Sequence, residues 1–423
     1  MRFYRLPMLV LGSVLLNCHA GWADENPPNQ DKVMQTLGVS GSVRGGYWSS
    51  SMNLDGKSDQ FSGALWLKAE PKLGKNASLV LEGWLMNEAA TRGDDRQGEL
   101  REGYLNLDVG NADFRIGKQI IVWGRADKFN PTDNLSPRDY TLLVPEDDDQ
   151  RIGAYAAKAT YNFKDWSLTG FWLPEFRPNV LPLPHVPGLS FSERIPHGQG
   201  GGIKVEQSGK AIDWSVSYYD GLDLNPDLSI GSIDSSGLNL RLDHHRVHIV
   251  GADAATVVGR YGLRAEAAYT RTEDSDGRDP FVKNPSFYLV AGGDRTFFEY
   301  LNINLQYYVR YVSHYQDPAS IANPALRTVA IQEAVISNQA DRFQHGMTLR
   351  ISDKWLHETL EGEIAAIVSF TRRDFVLKPK LVYSFNDHWK GTLGTYLFRG
   401  EDNTFYGRLR DNSAAFVEIR YSF

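Results

Sequence analysis

Apolar and polar residues alternate one by one through stretch after stretch of this chain. Leu301-Asn302-Ile303-Asn304-Leu305-Gln306-Tyr307-Tyr308-Val309-Arg310 is the longest clear case. Segments 61–68, 78–85, 102–109 and 360–365 repeat it. Side chains of a strand point to opposite faces in turn, so each stretch predicts a strand with one apolar and one polar side. On this basis strands are expected at 38–48, 60–70, 77–87, 99–109, 112–123, 152–162, 167–175, 199–207 and 212–220. Nine more are expected at 246–258, 262–272, 287–296, 301–313, 343–352, 360–370, 375–384, 390–399 and 413–423. The count is about 18, within a range of 16–18, and the fold class is all-β.

A soluble sandwich also alternates, and three features separate the two cases. Breaks between strands are in turn short (71–76, 109–113, 163–165, 386–388) and long (124–150, 177–197, 316–341), as in transmembrane barrels with short turns on one side and long loops on the other. Aromatics sit near strand ends, among them Tyr47, Trp48, Trp84, Trp123, Trp166, Trp172, Trp214 and Trp389, where interfacial girdles lie. The last strand places Ala415, Val417, Ile419, Tyr421 and Phe423 on one face. It resembles the terminal strand of Gram-negative outer-membrane proteins, which implies recognition by the barrel-assembly machinery through Phe423. The expectation is an up-and-down antiparallel β-barrel over residues 37–423, bathed in outer-membrane lipids, with both termini periplasmic.

Composition supports this. Of 423 residues, 42% are hydrophobic and 12% aromatic, too apolar for a disordered chain. The net charge of −7 argues against a nucleic-acid partner. A single cysteine excludes a disulfide framework and a cysteine zinc site. Residues 1–23 open with Arg2 and Arg5, continue through a short apolar run at 9–16, and close on Gly21-Trp22-Ala23. That is the layout of a secretory signal peptide. Residues 24–36 read as a short polar periplasmic lead-in.

Sixteen to eighteen strands leave a lumen wide enough for water. Its polar wall is expected to include Glu102, Arg115, Gln119, Arg310, Arg350, Glu361, Glu363, Lys378, Lys380, Glu418 and Arg420, with Lys68, Glu82, Asn106, Arg264, Glu266 and Asn304 on the same face. Both signs occur, so no strong anion selectivity follows. The loop 124–150 is too long for a tight turn. It is stiffened by Pro131 and Pro137 and dense in charge: Arg125, Asp127, Lys128, Asp133, Arg138 and Asp139. It is the candidate constriction, with an outward solvated cap as the alternative. Glu146-Asp147-Asp148-Asp149 lacks the spacing of a calcium loop, and a clasp to Arg138 or Arg151 is preferred. His244, His245 and His248 do not converge if they share a strand. No metal and no cofactor is expected. Asn323-Pro324 is a helix start signal before 324–336, and that helix is expected to cap the mouth by packing on other loops. The proline-rich segment 176–197 reads as a semi-rigid surface loop.

Gly117-Lys118-Gln119, then Trp123-Gly124 and the loop Asn130-Pro131-Thr132-Asp133-Asn134, resemble porin-like outer-membrane families with a Gly-x-Gln strand, Trp-Gly and an Asn-Pro/Asp-rich loop. Some of these uncharacterised barrels work beside inner-membrane pumps of the resistance-nodulation-division type. The resemblance implies passage of a solute across the outer membrane, without naming the solute. The first reading is a channel for small solutes; the alternative is a component that exports or passes lipid-like cargo with an inner-membrane pump. Porins are often trimers, so a homo-oligomer stays open. Catalytic residues are not expected: there is no Gly-x-Ser-x-Gly elbow, and Asp243 and His244 would face opposite ways in a strand.

Overall fold

A computed structural model describes residues 37–50, 59–87, 97–127, 129–183, 187–235 and 237–423. The expected signal peptide, the whole of the lead-in, and Lys128 lie outside them. The strands are β1 (Ser40–Ser50), β2 (Asp59–Ala69), β3 (Ala77–Met86), β4 (Gln97–Val109), β5 (Ala112–Gln119), β6 (Ala154–Phe163) and β7 (Trp166–Leu173). They continue with β8 (Leu189–Arg194), β9 (Gly200–Gln207), β10 (Asp213–Leu222), β11 (Asp227–Asp234), β12 (Gly237–Asp243), β13 (Arg246–Val258) and β14 (Tyr261–Arg271). The rest are β15 (Ser286–Phe297), β16 (Leu301–Val312), β17 (Phe343–Trp355), β18 (Leu360–Ser369), β19 (Asp374–Ser384), β20 (Trp389–Arg399) and β21 (Ala414–Ser422). Eighteen of them form one antiparallel sheet in chain order. It closes where β21 pairs with β1, from Ser42↔Ser422 to Ser50↔Ala414. Gly41 and Phe423 exchange both backbone hydrogen bonds, each at 3.0 Å. Every wall strand corresponds to a strand expected from alternation.

Closure has a physical cause. In an apolar solvent no water satisfies a free backbone N–H or C=O, so only a sheet without edges is stable there. The outer face is apolar: on β16, Leu305 and Tyr307 are exposed while the intervening Gln306 is 1% exposed. Aromatics mark both rims of this face. Trp166, Tyr261, Trp355 and Trp389 stand near the short turns, and Tyr155, Trp172, Tyr269 and Phe343 near the long loops, all exposed. Three tryptophans expected in the girdles behave otherwise. Trp48, Trp84 and Trp123 are 4%, 2% and 6% exposed. Trp48 stacks on Phe416 at 4.3 Å and Trp84 sits 6.2 Å from Trp66, on the inward parity.

Both ends of the closed wall lie at the rim bearing the short connections, 110–111, 164–165 and 259–260 among them. At the opposite rim β11, β12 and β8 form a separate small sheet, β12 running antiparallel to β11 and parallel to β8. Sequence reading left these as loop, since their partner is another loop strand rather than the wall. Helix α1 (Pro324–Ile336) packs Val329 against Leu228, Leu240 and Leu242 of this sheet. Its N-cap Asn323 accepts from Ala325 N and Leu326 N.

The alternation yields a stability expectation. Leu305→Arg puts a charge on the apolar face and is expected to cost about 2–4 kcal/mol in a bilayer, whereas Thr392→Arg, on the inward face of β20, is expected to cost under about 1 kcal/mol. Reversible urea unfolding in lipid vesicles measures both; equal costs would contradict the assigned faces.

Candidate functional site

The wall breaks its own pattern at β5. The strand expected to reach residue 123 stops at Gln119. Gly117 has φ +131°, and an added Cβ there would lie 2.3 Å from the Gly103 carbonyl oxygen, so only glycine allows β5 to approach β4 this closely. Beyond Gln119, Ile120 N donates to Glu102 and Ile121 N to Ser136 Oγ. The chain then runs from 120 to 153 against the inward side of strands all around the barrel.

Three groups of apolar contacts hold this segment. Ile121, Trp123 and Leu135 pack with Phe171, Tyr219, Val247 and Ile249. Ala126 and Phe129 pack with Val290, Tyr308 and Ile367. Leu142 and Val144 pack with Trp66, Trp84 and Met86. Each large side chain so buried contributes on the order of 2 kcal/mol.

A single carboxylate organises the first half. Glu266 on β14 is 1% exposed. Its Oε2 accepts from Arg125 N at 2.9 Å and Ala126 N at 3.0 Å, and its Oε1 accepts from Thr132 N at 2.7 Å and Thr132 Oγ1 at 2.8 Å. Gly124 has φ +93°, and a Cβ there would meet both carboxylate oxygens at about 2.5–2.6 Å. The glycine of the Trp-Gly pair is therefore required by the Glu266 contact.

The predicted constriction residues divide into two sets. Arg125 faces the wall, with Nε 2.5 Å from Asp253 Oδ1 and Nη2 2.7 Å from Glu206 Oε1. Asp127 N donates to Gln306 Oε1. Asp133, Arg138 and Asp139 instead shape the segment itself. Asp133 pairs with Arg151 at 2.6 Å, Arg138 donates to the Asp147 carbonyl, and buried Asp139 accepts from Thr141 N and Oγ1. These three help to hold the segment's own shape.

The acidic run fastens the far end. Asp149 pairs with Arg44 at 2.6 Å, Asp147 with Lys378 at 3.0 Å, Glu146 with Lys380 at 2.8 Å, and Asp148 with Arg151 at 3.1 Å. The expected clasp to Arg151 is one part of it, and β1 and β19 supply the rest. Among the described residues no group of three or more His, Cys, Asp or Glu side chains is arranged to hold a metal. His244 and His245 lie in a bend between β12 and β13 rather than on one strand.

The predicted wall residues share the inward parity. Arg350 pairs with Glu363, and Glu418 with Arg420; Glu361 follows on β18. Arg310 stacks over Tyr288 at 4.3 Å and donates to the Asn338 carbonyl. Arg115 donates to Asn106. Gln119 departs from expectation: it is 1% exposed and donates to the Ala156 carbonyl, covered by the start of the crossing segment. Sequence reading missed Lys158, Glu206 and Asp253, which the same parity count would have found. Below the segment, near the short turns, lies a cavity of about 480 Å³ lined in part by Arg125, Lys210, Asp213 and Arg264.

At the opposite mouth, α1 is pinned through a buried acid. Glu333 accepts from Leu228 N at 2.5 Å and from Ser337 Oγ. Burial, reinforced by Asp227, pushes its carboxyl up to about 8. Asp227 is held below its ordinary value by Lys283 and His245, against the opposing effect of burial. The hydrogen bond to Asp227 raises His245.

The architecture defines a closed transmembrane-type barrel with an inward-packed segment between its fifth and sixth strands. The chain belongs to the family described as a protein of unknown function (DUF1302), which it matches over residues 31–423. No curated protein matches it. Among solved structures it is similar in fold to OccAB3 of Acinetobacter baumannii, at 9% identity and TM-score 0.53, covering 91% of this chain and 98% of that one. OccAB4 of the same organism gives 8% and 0.53, covering 91% and 97%. These likenesses concern the fold.

Two outcomes are expected. Gly124→Ala and Glu266→Gln each loosen the crossing segment by about 1–3 kcal/mol. Hydrogen exchange across 120–153 should accelerate while the wall strands stay protected; unchanged exchange would count against the Glu266 latch. At the mouth, the folded state holds the Glu333 proton at pH values where the unfolded chain has lost it. Stability is therefore lost as pH rises from about 4.5 through about 8, and raised His245 acts in the same direction. Exchange protection of α1 should fall about ten-fold or more between about pH 5 and about pH 9. Glu333→Gln should retain only the smaller His245 part, and an equal pH response in that variant would refute the assignment.

Proposed function

We propose that this chain is a non-enzymatic channel of the bacterial outer membrane, passing small hydrophilic solutes through a lumen narrowed by residues 120–153. The observation that carries the reading is the attachment of that segment to opposite arcs of the wall: Arg125 to Glu206 and Asp253 on one side, Asp147 and Asp149 to Lys378 and Arg44 on the other. A segment fixed at both ends leaves water-lined space of limited section, so the proposal is a selective passage rather than a wide pore. Arg125 and Asp127 are the residues we assign to the constriction; the expected Lys128 lies outside the described residues. The short-turn rim, with both ends of the wall, is assigned to the periplasm. The signal peptide delivers the chain there, and the strand ending in Phe423 is what the assembly machinery reads.

Conductance in planar bilayers tests this. The whole protein should give small, stable single-channel currents, and deletion of 124–150 should raise the current several-fold. A current that falls or stays unchanged on deletion would refute a narrowing segment. A folded, heat-modifiable protein with no current at all would favour handing lipid-like cargo to or from an inner-membrane pump.

A further inference from the structure

Most cations inside this barrel are neutralised. Arg44, Arg101, Arg264, Arg350, Lys378 and Lys380 each have a carboxylate oxygen within 4 Å. Arg115 on β5 and Lys158 on β6 do not, among the described residues. They are direct cross-strand partners. Both lie on the inward parity, between exposed outward residues Phe114, Ile116, Tyr155 and Tyr161. Like charges directly opposite on a sheet repel, and partial burial adds to the cost.

Neutral groups hold Arg115 in place. Its Nε donates to Asn106 Oδ1 at 3.1 Å, and its guanidinium lies 5.3 Å from the centre of the Tyr104 ring. This fixes the plane of the group without giving it an ion-pair partner. Glu102, Asp108 and Asp113 share this face, but none forms an ion pair with either cation, and Asp108 accepts from Asn106 Nδ2. Asp113 accepts from Asn162 Nδ2, and Glu102 accepts from Ile120 N. One rung toward the short turn, Thr160 and Thr169 place two hydroxyls 3.0 Å apart.

We propose that Arg115 and Lys158 form a binding station for an oxyanion, a carboxylate or phosphate group on a small hydrophilic solute, on the short-turn side of the crossing segment. The planar guanidinium offers two parallel donors to an oxyanion, the ammonium adds a point charge, and the hydroxyls supply neutral contacts beyond it. An arriving anion removes the repulsion between the two cations, which is the source of its affinity. The proposal rests on the reading of a water-filled lumen, and it names the chemical class of the solute.

The test uses the full chain in detergent, titrated calorimetrically with inorganic phosphate and, separately, with succinate. Wild type should bind at least one of them, and the preference separates phosphate from carboxylate recognition. Arg115→Gln and Lys158→Gln, made singly as well as together, should weaken binding about ten-fold or more while heat-modifiable migration on gels shows that the barrel has formed. Arg115→Lys should recover only part. Binding that is absent in folded wild type, or equal in the folded variants, overturns the station. Planar-bilayer currents with the same anions keep the two readings apart. Binding without any current sinks the channel and leaves the station standing. A current indifferent to the anions and to both substitutions sinks the station and leaves the channel.

Discussion

A sheet whose outer face meets an apolar medium must leave no backbone donor or acceptor unpaired, and this requirement organises the rest of the structure. The pairing of β1 with β21, from Ser42↔Ser422 to Ser50↔Ala414 and extended by two hydrogen bonds between Gly41 and Phe423, joins the first wall strand to the last and removes the edges of the wall. Once the ring is closed, parity assigns every side chain. Residues such as Leu305 and Val250 face outward, and Gln306, Glu266 and Asp253 face inward. Polar groups that would be intolerable outside are thereby concentrated around a single lumen.

Eighteen strands enclose more space than wall side chains can fill. The segment between β5 and β6 occupies part of it and is held by the groups that closure turned inward. The Glu266 carboxylate gathers three backbone N–H groups and one hydroxyl from residues that would otherwise carry unsatisfied donors in a covered place. The acidic run answers cations on β1 and β19. Apolar anchors between these points, Trp123 and Leu142 among them, make the segment a part of the core. Much of the interior is therefore a mosaic of matched charges; Arg310 is held instead by Tyr288 and a backbone carbonyl, while Arg115 and Lys158 face each other across adjacent strands without an ion-pair partner among the described residues.

The mouth follows a different logic. There β8, β11, β12 and α1 pack on one another, with Glu333 buried at the junction. Burial there favours the neutral form of the acid, whereas the wall is held by backbone pairing.

Period-two alternation by itself determined the wall: all eighteen strands, their faces and the rim that carries the short turns, because membrane strands repeat one local rule that needs no partner to be read. A separate local signal, Asn323-Pro324, identified α1, since a cap acts within four residues. The premature end of β5, the inward burial of Trp48, Trp84 and Trp123, the small sheet of β8, β11 and β12, and the scaffold roles of Asp133, Arg138 and Asp139 were decided only by tertiary structure. Each depends on groups far apart in the chain, as Gly124 depends on Glu266 and Asp147 on Lys378. Local sequence cannot display such pairs, since what selects them is the width of a ring that exists only after the last strand has met the first.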